Sequence, residues 1–114
     1  MRIAFVGGEI AVISYKYKEM DKRFVASYAR VDVKDASELL SPAEIETFAK
    51  FCAAMGLDFG SVDVMRDKHD GRIYVIDVNK TCMPVLTLPL AEQMASLDKI
   101  AASLLQFIER PKTA

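Results

Sequence analysis

Residues 58–80 hold two runs of alternating side chains around Lys68-His69-Asp70-Gly71. An Asp-Gly pair between such runs marks a tight turn, so residues 58–67 and 72–80 are expected to pair as antiparallel strands. Side chains alternate faces along a strand. Val62 and Val64 therefore share one face in the first run, and Tyr74, Ile76 and Val78 share one face in the second. Asp77 and Asn79 fall on the other side, as do Ser61, Asp63 and Met65. A three-residue loop at His69-Asp70-Gly71 sets Asp63 directly across from Asp77.

The rest of the chain supplies elements to cover the apolar face. Arg2–Val6 and Glu9–Lys18 read as strands joined by Gly7-Gly8, a pair suited to a hairpin turn that needs positive φ twice. That register groups Ile3 and Phe5 with Ile10 and Val12, and continues along the second strand into Ser14, Lys16 and Lys18. Phe24–Val33 reads as a third strand. Ser41-Pro42-Ala43-Glu44 is a capping box with proline at the first helical position. Ile45, Phe48, Ala49, Cys52 and Met55 follow at helical spacing, and Gly56 is the stop. After a proline-bearing loop a last helix runs to about Ile108. Leu90, Met94, Leu97, Ala101, Leu104 and Ile108 form its apolar stripe, and Pro111 closes it. The order β-β-β-α-β-β-α predicts an α+β fold: an antiparallel sheet with helices packed on one face, in one domain spanning 1–114.

Charge and cysteine content narrow the partners. Fifteen basic residues against sixteen acidic ones leave a net charge of −1, without the basic excess of a nucleic-acid binder. No apolar run reaches the length of a membrane span, and the amino terminus lacks a signal peptide's apolar stretch. Cys52 and Cys82 show no metal-type spacing, which fits free thiols in a cytoplasmic protein. His69 reads as a solvated turn residue, and Cys82 as a loop thiol without a visible partner base.

Opposed carboxylates on neighbouring strands have Cβ atoms about 5 Å apart and repel each other. Either a bridging cation or a proton kept by one carboxylate relieves this; Mg²⁺ suits such hard oxygens, with Asn79 adding an amide oxygen. A solvated strand face carrying ordinary Asp and Asn is the alternative reading.

Phe59-Gly60-Ser61-Val62-Asp63-Val64 followed by Asp70-Gly71-Arg72-Ile73-Tyr74-Val75-Ile76-Asp77-Val78-Asn79 resembles the signature of ATP-grasp ligases. Met55-Gly56-Leu57-Asp58 and Lys80-Thr81 extend the likeness, as does Phe5-Val6-Gly7-Gly8-Glu9-Ile10-Ala11-Val12 with the hairpin that precedes the signature in that family. The resemblance implies that Asp63, Asp77 and Asn79 hold Mg²⁺ (or Mn²⁺) bridging the phosphates of ATP. Asp77 stands where the family more often has Glu, one methylene longer. Lys16 or Lys18 would face the phosphates; Arg2 is not assigned. The family's reaction is phosphoryl transfer to a substrate carboxylate, followed by attack of an amine or similar nucleophile.

The likeness covers only the back half of the family's domain, so a separate chain supplying the front half is one expected partner. The competing expectation is a non-catalytic module that self-associates, as a homodimer, through the exposed sheet face beside Phe59 and Met65.

Overall fold

The computed structural model describes residues 1–17, 30–81 and 88–111. Its five strands are β1 (Arg2–Val6), β2 (Glu9–Tyr17), β3 (Arg30–Lys34), β4 (Phe59–Arg66) and β5 (Ile73–Asn79). Three helices join them: α1 (Ala36–Leu39), α2 (Pro42–Met55) and α3 (Leu90–Glu109). All neighbouring strands are antiparallel, in the order β3-β2-β1-β4-β5. The fold is α+β, in the expected order except for the added single turn of α1. Lys18, Cys82 and most of the strand expected at Phe24–Val33 lie outside the described residues.

Local chemistry accounts for the turns and caps. Gly7 and Gly8 both take positive φ, 59° and 79°, which closes the β1–β2 hairpin in two residues. At α2, Ser41 Oγ accepts from the Glu44 amide at 3.2 Å while Glu44 Oε2 accepts from the Ser41 amide at 2.8 Å. This reciprocal pair satisfies two of the donors that every helix start leaves open. Gly56, at φ 65°, ends the helix left-handed.

Helix α2 covers one side of the sheet. Phe48 and Cys52 join Ile3, Phe5, Ile13, Val62 and Val64 in the buried core, with Leu40 and Leu57 at its margins. Phe48 meets Phe5 edge to face, ring centroids 6.0 Å apart, a favoured aromatic geometry. Burial pushes the Cys52 thiol up to about 11, so it stays a protonated apolar filler.

Two bulges change the registers expected from sequence. Between β1 and β2, Ala4 pairs with Val12 but Phe5 with Ile10, so Ala11 is the extra residue. Ile13 rather than Val12 therefore joins Ile3 and Phe5 over α2, while Val12, Ser14 and Lys16 turn to the opposite side with Arg2, Ala4 and Val6. Between β4 and β5, Val64 pairs with Val75 but Asp63 with Asp77, which makes Ile76 the extra residue. Tyr74 thus leaves the α2 side, where Val75 takes its place opposite Val64.

Helix α3 runs against β1, β2 and β3. Phe107 covers Gly7, and Arg110 reaches the Gly7 carbonyl and Glu9. The side chains of α3 that are buried or half-buried are Glu92, Gln93, Ser96, Lys99, Ile100, Ser103 and Leu104. Its apolar stripe is largely turned outward: Leu90 is 73% exposed, Met94 52% and Ile108 72%.

Candidate functional site

Asp63 and Asp77 are direct partners across β4 and β5, as the sequence predicts, but the chain reaches this pairing by another route. The hairpin loop is one residue longer than expected: Asp67 N donates to the Arg72 carbonyl, leaving four residues between them. The bulge at Ile76 then cancels the offset before Asp77. Asn79 lies two residues further along β5, and its Nδ2 donates a long 3.4 Å hydrogen bond to Asp77 Oδ2. This orientation directs the amide oxygen of Asn79 away from Asp77.

Gly60 lets the strands close up beside Asn79. It adopts a φ of 153°, and a Cβ there would run into the Asn79 main-chain carbonyl. Only glycine fits both the dihedral and the approach.

Charge compensation comes from a residue that sequence reasoning left unassigned. Arg2 pairs with Asp63 across β1 and β4, and its guanidinium grips the carboxylate with both arms. Nε donates to Oδ1 at 2.9 Å and Nη2 to Oδ2 at 3.0 Å. Both side chains are about a third exposed. Arg2's hydrogen bonds hold the Asp63 carboxyl below the usual carboxylate range, with further help from the charges of Arg2 and Lys16 and against partial burial. Lys16 is on the same side of the sheet, two residues past Ser14, which pairs with Arg2. Lys18, the other lysine of interest, lies outside the described residues.

Two clefts flank these residues. One, of about 440 Å³, opens where β2 and β4 run past Arg2, between Lys16, Tyr17, Met65 and Arg66. It adjoins the carboxylate row at Lys16 and Met65. The other, of similar volume, lies on the α2 side between Phe48, Phe51, Ile73 and Val75. It is the more apolar, and its two acids are already engaged, Glu44 by Arg66 at 2.7 Å and Asp70 by the Tyr74 hydroxyl at 2.6 Å. We place the candidate site on the carboxylate side, where the charged groups converge.

The donor set bears on the metal it suits. Among the described residues no group of three or more His, Cys, Asp and Glu comes together as a metal cage. Two carboxylates and an amide instead match Mg²⁺ that brings its own phosphate and water oxygens. Such an ion fits here only once Arg2 releases Asp63, whose two oxygens both accept from the guanidinium, and the Asn79 amide turns its oxygen towards Asp77. His69 sits in the hairpin turn, its amide held by Asp67. Compared with family models, curated proteins and solved structures, the chain matches none.

Proposed function

We propose that the carboxylate row of β4 and β5 is the magnesium–ATP half of an ATP-grasp-like ligase site, which activates a carboxylate substrate as an acyl phosphate for attack by an amine. The observation that carries this reading is the direct pairing of Asp63 with Asp77, with Asn79 beside them. Asp63 and Asp77 provide the two anionic oxygens and Asn79 a neutral one. Bound there, Mg²⁺ supplies the charge that neutralises a transferring phosphoryl group. Arg2 acts as a resident counter-ion: it keeps Asp63 ionised and, when displaced, offers two parallel donors to phosphate oxygens. Lys16 adds positive potential from β2. The reading places the chain in the cytoplasm, with ATP and reduced thiols; no helix among the described residues is long and apolar enough to cross a membrane.

The test is an NMR titration of the labelled chain with Mn²⁺, with and without ATP. Broadening should centre on Asp63, Asp77 and Asn79 and vanish in Asp77→Ala. Arg2→Ala should tighten Mn²⁺ binding several-fold by freeing Asp63. Uniform broadening at millimolar metal in both chains would sink the proposal.

A second reading rests on the same arginine. Because Arg2 already neutralises Asp63, the row is stable as an ion pair alone, and Met65 (62% exposed) and Tyr74 (49%) beside it form an apolar patch. Under that reading the sheet face is a non-catalytic contact surface, and Arg2→Ala leaves metal binding undetectable.

A further inference from the structure

The apolar residues Leu90, Met94, Leu97, Ala101, Leu104 and Ile108 of α3 follow one another in steps of 4, 3, 4, 3 and 4 residues. This is the 3.5-residue period of a two-helix seam, narrower than the stripe of a helix laid on a sheet. The ends of the seam point away from the sheet, while Leu97 and Leu104 near its middle are partly covered within the monomer. Leu90 and Ile108 are nearly three-quarters exposed, Met94 half and Leu97 37%, while Ser96 is buried on the opposite flank.

We propose that a second copy of this chain covers the seam, the two α3 helices packing antiparallel about a two-fold axis at position 99. The register is self-complementary. Leu90 falls opposite Ile108 of the other copy, Met94 opposite Leu104, and Leu97 opposite Ala101, because each pair is equidistant from residue 99. Each layer then joins an a position to a d position, as antiparallel pairing requires, and large Leu97 meets small Ala101.

Fully covered, the exposed parts of Leu90, Met94, Leu97 and Ile108, with Leu105 on the flank of the seam, amount to roughly 500 Å² per copy, so a pair buries at most about 1,000 Å², the lower bound of a specific interface. A membrane surface is the poorer occupant. The basic residues described on the helix and at its end, Lys99 and Arg110, are engaged by Asp35 and Glu9, which leaves no cationic flank for lipid headgroups among the described residues. Asp98 sits beside the seam and meets its own copy near the axis, a like-charge contact that keeps the pair modest.

Sedimentation equilibrium across a concentration series tests this, independently of metal or nucleotide. The native chain should show a reversible dimer. Leu97→Asp should weaken it by about 100-fold by burying a charge in the seam, with circular dichroism used to check that the variant still folds. Asp98→Asn should tighten it several-fold, which loss of folding cannot mimic. A chain that stays monomeric at millimolar concentration overturns the proposal, as does a dimer indifferent to both substitutions.

Discussion

Glu44 shows how one side chain can serve two elements. It closes the capping box of α2 and also accepts from both arms of Arg66, at 2.7 and 3.1 Å. Arg66 in turn donates to the carbonyls of Leu39 and Gly71, so the helix start is tied to the β4–β5 hairpin. The Arg66 hydrogen bonds, followed by that from Ser41, hold the Glu44 carboxyl down to about 2. A folded value below the unfolded one of about 4.3 means that the stabilisation is complete above that pH and is lost as pH falls towards 2. Urea midpoints followed from pH 6 to pH 2 should therefore drop for the native chain and drop less for Glu44→Gln. Equal drops would show that the ion pair contributes nothing measurable, as many exposed pairs do. Gly60 yields a second residue-scale prediction. Gly60→Ala places a methyl against the Asn79 carbonyl at a dihedral alanine avoids, and should cost about 2–3 kcal/mol in chemical denaturation. A loss below ~0.5 kcal/mol would mean that β5 shifts freely, and that Asn79 is not held in register.

At the scale of elements, what the sequence made legible was local. The capping box, the Gly7-Gly8 turn and the Asp70-Gly71 turn each announce themselves within a few residues, and the elements they bound formed where expected. Pairings distant in sequence were not legible. The β1–β4 seam joins residues about 60 apart, so nothing near Arg2 signals that it will lie against Asp63. Bulges escape sequence reading for a similar reason. One extra residue flips every side chain beyond it, and both Ile10-Ala11-Val12 and Val75-Ile76-Asp77 offer several apolar residues for the core. Packing on α2 selects Ile10 and Ile13 in β2. In β5 the bulge turns Val75 to the cavity under α2 and leaves Ile76 59% exposed. The stripe on α3 was visible by period, but period alone says only that a face is apolar, not what covers it.

Taken whole, the molecule is unevenly held. The sheet and α2 share a dry core around Phe5, Phe48, Val62 and Cys52, whereas α3 contributes only Ser96 to the fully buried set. A 20-residue helix with so little apolar burial gains little from tertiary packing, the usual source of helix stability in proteins. Half-buried Ile100 and Leu104, Phe107 over Gly7, and the Lys99–Asp35 and Arg110–Glu9 ion pairs attach it. Exposed pairs of this kind are worth roughly 0–1 kcal/mol each. Amides of α3 should then exchange with solvent through local opening, while those of β1, flanked on both sides by strands, wait for global unfolding. Covering the seam with a second copy changes only the first of these. Native-state hydrogen exchange at two protein concentrations should therefore show α3 protection rising with concentration and β1 protection staying constant. If both rise together, folding and association are one event and the chain has no stable monomer. If neither moves, α3 gains no partner, and its exposed leucines must be stabilised by the sheet alone.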